Sequence, residues 1–501
     1  MDTSDFSGLI GRLEREADTR PQLYVAKVVI AAALGYALPA LAAVVILVVC
    51  YFTIYAAAFG DGPSMLLILT GVAAVALLAV TVRALIVPIA AAEGVQISRD
   101  DAPQLFALID DIGAKIGGAP LASVTINGEF VASIQQIPRW GVFGGYRHHL
   151  QLGVPLLIAL SIDELTAVLA HEIGHFGGRD RPFSGWIYRQ RPVWQALGQK
   201  FAEPQNTVER MLGGIYGWYA PWFCAYSFAL ARDHEYGADH VSAAITSTDT
   251  LGRALIKIEL AGRFLAEVFW ARFLSRVEES PEPPYRPYSL LPRAFKVAEK
   301  ENARSRWLAE ALRRYTTDGD THPSLAERLA TLEVAAELPP PSNESIALLL
   351  FGGLASRLIH YCDEVWRGEN LANWRKRHDA IKEARWKIAQ YEQYDNSVLR
   401  AEDLWAKANM QLTLNQEADA IETLQHIVGR EAAHADAHML LARLLLSGND
   451  ERGLPHLLLA AEQKPELANA AGSIGYSYLV ERGRKGEAMR FWQRISPLIS
   501  E

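Results

Sequence analysis

The feature that most constrains the fold is the segment His171-Glu172-Ile173-Gly174-His175. On an α-helix, residues four apart project from the same face, so the two imidazoles can bind one metal ion. Glu172 lies beside them and can act as a general base. The spacing therefore predicts a zinc-binding helix whose third ligand comes from elsewhere in the chain.

The preceding residues indicate that this segment is helical. Ser161 and Glu164 form a capping-box pattern, which begins a helix. Leu165, Val168 and Leu169 follow at the spacing of a buried helical stripe. The histidines therefore lie about two turns into the predicted helix. A pair of core histidines with an incidental glutamate is the simpler alternative.

The third ligand must be distant. In the longer motif HExxHxxGxxH a third histidine follows, but Arg181 stands at that position, and a guanidinium cannot bind zinc. Residues 222–241 form a second predicted helix, which carries Glu235 as the candidate third ligand. Asp239, one turn later, can accept a hydrogen bond from a ligand imidazole. Arg232, one turn earlier, can neutralise this acidic cluster, which could otherwise be an ordinary solvated face.

Three segments together resemble the M48 metallopeptidase family. They are His171-Glu172-Ile173-Gly174-His175, then Arg232-x-x-Glu235-Tyr236-x-Ala238-Asp239, then Thr321-His322-Pro323-Ser324 with Glu327-Arg328-Leu329. Their order and approximate spacing are those of the family, and the resemblance covers about residues 95–335. It implies an α+β, mainly α, zincin domain of the gluzincin type. It also implies one Zn²⁺ per chain and endopeptidase activity, often in membrane-protein quality control.

The resemblance also makes His322 a candidate for binding the substrate carbonyl or the developing oxyanion. The alternative is that His322 is a turn residue before Pro323. One position departs from the family, because Val131 stands where many members have asparagine. Residues 123–134 and 149–153 are predicted strands, and an edge strand of this kind can hold an extended peptide by main-chain hydrogen bonds.

Composition narrows the class of protein. Half of the 501 residues are hydrophobic, which is high for a soluble chain of this length. The net charge of −8 gives no indication of a nucleic-acid partner. The three cysteines, Cys50, Cys224 and Cys362, are widely separated and form no disulfide framework, which favours a reducing compartment.

Two apolar runs, residues 28–58 and 65–88, are each long enough to cross a lipid bilayer. The link 59–63 contains no lysine or arginine, whereas Arg12, Arg15, Arg20 and Lys27 precede the first run. The positive-inside rule then predicts a multi-pass protein of the cell inner membrane, with its catalytic domain facing the cytoplasm. A third apolar stretch, 211–231, is either a membrane-surface helix or a buried helix, and burial is favoured.

The C-terminal part shows helical patterning with a weak repeat of about 34 residues, at Asp419, Arg452 and Glu487. That period is typical of tetratricopeptide-like (TPR-like) helix pairs, which bind proteins or peptides. An irregular helical domain is the alternative. The predicted domains are a cytoplasmic segment (1–23), a transmembrane helical hairpin (24–92), an M48-like peptidase domain (93–365) and a C-terminal helical domain (366–501).

Together these features predict a membrane-anchored zinc endopeptidase that acts on a protein or peptide substrate. His171, His175 and Glu235 are the expected metal ligands, and Glu172 is the expected base. One alternative is a membrane-tethered scaffold whose zincin domain is inactive or structural. A structural metal site has no need of a base, so the presence of Glu172 argues against the scaffold alternative.

The second alternative is a narrow processing enzyme, for example one that acts on lipidated C-termini. Such an enzyme usually has more membrane spans than the two predicted here.

Overall fold

The computed structural model describes residues 3–59, 65–85, 92–118, 120–140, 145–177, 182–202, 207–298, 300, 303–314, 316, 322–339 and 346–499. The predicted link between the apolar runs falls almost wholly outside these residues, as do Arg181 and Thr321. The chain forms two compact units. One comprises Met1–Phe273 and Tyr285–Trp366, and the other comprises Leu274–Pro284 and Arg367–Glu501.

The first unit is mainly helical and contains one four-stranded sheet. Its helices are α1 Thr3–Thr19, α2 Pro21–Phe59, α3 Met65–Leu85, α4 Pro103–Ile116, α5 Val154–Ala159, α6 Ile162–Gly177, α7 Pro182–Ala202, α8 Thr207–Tyr226, α9 Phe228–Ile245, α10 Thr248–Phe264, α11 Trp270–Leu274, α12 Pro287–Ala298, α13 Arg304–Arg313 and α14 Leu325–Thr331. Its strands are β1 Val95–Ile97, β2 Leu121–Asn127, β3 Ala132–Pro138 and β4 Tyr146–Gly153. The predicted α+β, mainly α, class is confirmed.

The sheet has the strand order β1-β2-β4-β3, so β3 lies at an edge. The prediction of one strand over 123–134 is wrong, because Asn127 ends β2. Its side-chain Oδ1 accepts a hydrogen bond from the Glu129 N–H at 3.1 Å, which closes a turn before β3 begins. Gly153 at the end of β4 leaves room for this turn, because the Glu129 carbonyl occupies the place of a Cβ atom there.

The helix predicted over residues 222–241 is also interrupted. Helix α8 ends at Tyr226 and α9 begins at Phe228. Between them, Ser227 Oγ donates to the Phe223 carbonyl at 2.7 Å, and Arg191 donates to the Cys224 carbonyl at 2.5 Å. These side-chain bonds add to the main-chain bonds from the Ser227 N–H to the Phe223 carbonyl and from the Ala231 N–H to the Ser227 carbonyl.

Helix α8 is buried on one face against α2 and α7, as favoured for residues 211–231. Tyr219 Oη donates to the Ala31 carbonyl at 2.9 Å, and the Trp194 ring packs edge-on against Tyr219. Within the described parts of the chain, no helix combines the length and apolar character of a membrane span. The predicted transmembrane hairpin is therefore not confirmed.

The second unit contains successive helix pairs. Helix α15, Leu354–Tyr391, enters this unit and is followed by α16 Ala401–Thr413, α17 Glu417–Arg430, α18 Ala435–Ser447, α19 Gly453–Gln463, α20 Ala468–Glu481 and α21 Lys485–Ile495. Within each pair, one turn residue has a left-handed φ, namely Asn415, Asn449 and Gly483, at intervals of 34 residues. The structure thus has the predicted repeat period. Whether these pairs are TPR repeats stays a prediction.

Candidate metal centre and active site

Helix α6 carries the first two candidate ligands, and its start is built as the sequence predicts. The Ser161 N–H donates to Glu164 Oε2 at 2.8 Å, while the Glu164 N–H donates to Ser161 Oγ at 3.3 Å. This reciprocal pair is a capping box. Leu165 and Leu169 are fully buried below the histidines, so the hydrophobic stripe fixes which face of α6 points into the site.

Three ligand atoms converge where α6 meets α9. His171 Nε2 lies 3.2 Å from His175 Nε2. Glu235 Oε2 lies 3.5 Å from His171 Nε2, and Glu235 Oε1 lies 3.6 Å from His175 Nε2. All three side chains are almost completely buried. The structure thus brings together the three residues that the sequence proposed as metal ligands.

This triangle fits zinc. Nitrogen and oxygen ligands lie about 2.0–2.2 Å from a tetrahedral zinc ion, which places them about 3.4 Å from one another. The observed separations of 3.2–3.6 Å agree with that geometry. Among the described residues, Glu235 Oε1 is buried without a hydrogen-bond partner. A bound cation would satisfy this oxygen, so both the donor set and the spacing suit Zn²⁺.

Asp239 lies next to His171, as predicted. Its Oδ1 is 2.9 Å from His171 Nδ1, which orients the ring so that Nε2 faces Glu235. Burial would raise the pKa of Asp239, but hydrogen bonds from His171 and Arg328 outweigh it and lower the pKa to about 2. For His171 burial acts in the opposite direction and would lower the pKa. The bonds of His171 to Asp239 and Glu235 outweigh burial and raise its pKa to about 9.

Arg232 does not have the predicted neutralising role. Its guanidinium donates to Glu14 Oε1 of α1 at 2.6 Å. Its other nitrogen lies 3.6 Å from Glu327 Oε1. Arg328 on α14 binds Asp239 instead, with Nε 2.9 Å from Oδ2 and Nη2 2.5 Å from Oδ1. The sequence signal for Arg328 is its place one residue after Glu327, which caps α14 together with Ser324.

Glu172 lies between the histidines and the edge strand. Its Oε2 accepts a hydrogen bond from the Ile134 N–H of β3 at 3.1 Å. Burial raises the pKa of this carboxyl above its usual range. The buried Glu172 carboxylate thus faces the edge of β3. It can accept a proton next to a peptide that binds along this edge.

His322 reaches the site from the loop before α14. Its Nδ1 lies 2.5 Å from Glu235 Oε2, and its side chain is partly exposed. His171, Glu235 and His322 also form a second group able to hold a metal ion. Because a neutral imidazole has one N–H, donation from Nδ1 to Glu235 leaves Nε2 as an acceptor. To donate a hydrogen bond to an oxyanion, as predicted, His322 would therefore need a second proton. Otherwise it would have to release Glu235, so that its single N–H becomes free to donate.

Two aromatic neighbours of His175 were missed by sequence reasoning. The Tyr188 ring on α7 stacks on His175 with centroids 5.0 Å apart, and the His234 ring lies 5.1 Å away. His175 Nδ1 is buried and has no hydrogen-bond partner among the described residues. Ring packing therefore orients His175, whereas His171 is oriented by the hydrogen bond that its Nδ1–H donates to Asp239. Burial lowers the pKa of His175 well below its usual value.

The comparison with protein families agrees with this geometry. Residues 147–336 match the sequence model of Peptidase family M48. This region is a peptidase M48 domain. The match contains α6, α9 and the loop with His322, and it indicates a metallopeptidase. A comparison with curated proteins gives no match.

The M48 match confirms the resemblance seen in the sequence for the part of the chain that holds the candidate site. It begins at Arg147 within β4, so β1 to β3 precede the matched residues. It ends before α15 and does not include the C-terminal helix pairs. The M48 match therefore covers the two helices that carry the candidate metal ligands, while Ile134 and the edge strand lie outside the matched range.

Proposed function

We propose that the protein is a zinc endopeptidase in which His171, His175 and Glu235 hold the metal ion. The convergence of their ligand atoms at separations of 3.2–3.6 Å carries the proposal. Bound zinc supplies a Lewis acid that activates water and polarises the scissile carbonyl. The Glu172 carboxylate removes the proton from the attacking water and passes it to the leaving amine.

The edge strand β3 supports binding of an extended peptide. In its antiparallel pairing with β4, the Gly153 N–H donates to the Val131 carbonyl at 2.8 Å. Since main-chain groups alternate in direction along a strand, those of Ala132, Ile134 and Gln136 point to the free edge. The bond from Ile134 to Glu172 follows this alternation. A peptide added to this edge would lie across the metal ligands.

The decisive experiment separates metal binding from proton transfer. Purified protein should contain about one zinc per chain, and His171→Ala or Glu235→Ala should lose it. Glu172→Gln should retain zinc and fold but cleave an unstructured peptide at least ~10²-fold more slowly, the usual scale for a general base. The exposed Glu337→Gln serves as a matched control and should cleave normally.

Zinc retention in both ligand variants would contradict the ligand assignment. A wild-type protein that binds zinc but cleaves nothing would favour the scaffold alternative.

We further propose that α2 and α3 associate with a lipid bilayer and that the peptidase faces the cytoplasm of the cell inner membrane. Much of the surface of both helices is apolar and exposed, including Ile30, Leu47, Ile54, Leu66 and Val72. An exposed apolar surface this extensive is costly in water and suits lipid. The predicted role in membrane-protein quality control rests on this association.

Membrane association is tested by washing membranes with alkaline carbonate. A bilayer-embedded hairpin stays with the lipid, whereas a peripheral one is released. A labelling site inserted at residues 60–63 should be accessible only from outside, and one at the C-terminus only from inside. Full release by carbonate, or the opposite labelling, would contradict the proposal.

A further inference from the structure

Arg189 on α7 carries a charge that the proposed chemistry does not use. Its guanidinium lies over the Tyr146 ring of β4, 5.6 Å from the ring centre. Among the residues that the structure describes, no aspartate or glutamate forms an ion pair with Arg189, and its side chain is only partly exposed. Burial lowers the pKa of the guanidinium below its usual range. A partly buried cation without a counter-ion is unfavourable, and a bound anion would offset that cost.

Arg189 lies close to the candidate metal site. A Cβ atom placed on Gly185 would lie 3.5 Å from Arg189 Nη1 and 3.5 Å from His234 Cε1, so the guanidinium is near the His234 ring. The centre of that ring lies 5.1 Å from the ring centre of His175, a candidate ligand. Arg189 also follows Tyr188, whose ring stacks on His175. The unpaired charge is therefore about one side chain away from the candidate metal ligands.

We propose that Arg189 binds the carboxylate of an aspartate or glutamate in the substrate, roughly two residues before the cleaved bond. This inference rests on the proposed endopeptidase function and specifies its substrate class. A guanidinium presents paired N–H donors that match the two oxygens of a carboxylate. Such charge-assisted hydrogen bonds are stronger than those to a neutral amide, so the site should distinguish glutamate from glutamine.

The strand direction places Arg189 on the N-terminal side of the cleaved bond. Ile134 of β3 donates to Glu172 and therefore lies beside the reacting bond. Antiparallel pairing is the more stable way to add a strand to an edge, so the N-terminal half of a peptide lies beside the end of β3. That end, at Pro138, pairs with Tyr146, the residue whose ring Arg189 covers. Arg189 thus lies at the end of the sheet that receives the N-terminal half of the substrate.

Two polar side chains near Arg189 also have unused hydrogen-bonding atoms. Gln136 of β3 pairs with His148 of β4, so both project from the same face of the sheet. Gln136 Oε1 and His148 Nδ1 are buried and have no hydrogen-bond partner among the described residues. Burial and the charge of Arg189 lower the pKa of His148 to about 4, so His148 adds no charge at neutral pH. Gln136 is two residues beyond Ile134, which sets the position of the acidic residue in the peptide.

The test uses full-length zinc-loaded protein and peptides that carry glutamate or glutamine at each position around the cleaved bond. Glutamate two residues before the bond should give a kcat/KM at least ~10-fold above that of glutamine, the scale of a hydrogen bond to a charged group. Arg189→Gln should remove this preference, and Arg189→Glu should transfer it to a lysine peptide. Arg147→Gln is the matched control and should keep the wild-type preference. Arg147 is exposed next to Tyr146 on β4 and projects from the opposite face of the sheet.

Peptide binding keeps this inference separate from catalysis. Zinc-loaded Glu172→Gln should bind fluorescently labelled glutamate peptides at least ~10-fold more tightly than glutamine peptides, and adding Arg189→Gln should equalise the two. If wild-type protein cleaves neither peptide, the proposed function fails, and binding alone decides the role of Arg189. Equal binding of the two peptides, or a preference that persists in Arg189→Gln, would overturn the inference. Equal peptide binding together with weaker binding of Arg189→Gln to phosphatidylglycerol micelles would instead assign Arg189 to a lipid headgroup.

Discussion

Arg328 on α14 holds Asp239 on α9 through two hydrogen bonds, from Nε to Oδ2 at 2.9 Å and from Nη2 to Oδ1 at 2.5 Å. Asp239 in turn lies 2.9 Å from His171 Nδ1. A two-point contact between a guanidinium and a carboxylate fixes both position and orientation. The orientation of one candidate metal ligand, His171, therefore depends on an arginine 157 residues away in the chain.

Arg328→Gln should weaken zinc binding. Loss of the bidentate pair frees Asp239 to rotate, and loss of such a partner typically lowers metal affinity by ~10–100-fold. Arg328→Lys should lie between wild type and Arg328→Gln, because an ammonium group keeps the charge but not the two-point contact. Zinc affinity is measured by competition with a chromogenic chelator.

Arg232→Gln is the matched control for this prediction. Arg232 bonds Glu14 rather than Asp239, and the pair is partly exposed. Its loss should change zinc affinity by less than about threefold and stability by at most about 1 kcal/mol. Equal losses of zinc affinity in the two arginine variants would show that Arg328 has no special role.

Tyr188 should position His175 through its ring rather than its hydroxyl. The two rings are nearly parallel, at an angle of 9°, and His175 Nδ1 has no hydrogen-bond partner among the described residues. Tyr188→Phe keeps the ring and should retain zinc affinity within about threefold. Tyr188→Leu should lower it by ~10-fold or more, on the scale of other groups that orient a metal ligand. If Tyr188→Phe and Tyr188→Leu weaken zinc binding equally, the hydroxyl of Tyr188 rather than its ring is the important group.

Gly35 should be intolerant of a larger residue because α2 and α8 approach closely there. A Cβ atom at this position would lie 2.7 Å from Tyr219 Cζ and 2.8 Å from Trp194 Cζ2. Neither ring can move away easily, so Gly35→Ala should lower the free energy of unfolding by about 1–3 kcal/mol. The change is measured as denaturant unfolding in detergent.

Gly11→Ala on α1 is the control, because nothing lies within 4 Å of its Cβ position. Alanine is favoured over glycine within a helix, so this variant should gain about 0.5–1 kcal/mol. Stabilisation by both substitutions would contradict the close packing of α2 on α8.

The C-terminal helix pairs should recruit partners rather than take part in chemistry. Truncation after Tyr394 keeps α15 and its ion pairs, such as that between Arg375 and Glu282. The shortened protein should bind zinc and cleave an unstructured peptide at a near-normal rate. Cleavage of physiological substrates should fall, because tethering raises their concentration at the cleft. A truncated protein that folds and binds zinc, yet cannot cleave the short peptide, would place these helices in the catalytic unit.

The sequence by itself determined the features that depend on local spacing. A helix places residues four apart on one face, so the pairing of His171 with His175 and of Glu235 with Asp239 could be predicted. The capping box at Ser161 and Glu164 follows from neighbours within one turn. The repeat period of 34 residues was equally visible, because each repeat is a local unit.

Only the tertiary structure decided which distant groups meet. Arg232 is three residues from Glu235 in sequence, yet packing of α1 directs it to Glu14, while Arg328 reaches Asp239 from 89 residues away. The stacking of Tyr188 on His175 and the bond from Ile134 to Glu172 likewise join separate segments. Helical and strand periodicity fix the direction of each side chain relative to its own element. The partner at the end of that direction depends on how the elements pack, which the periodicity does not specify.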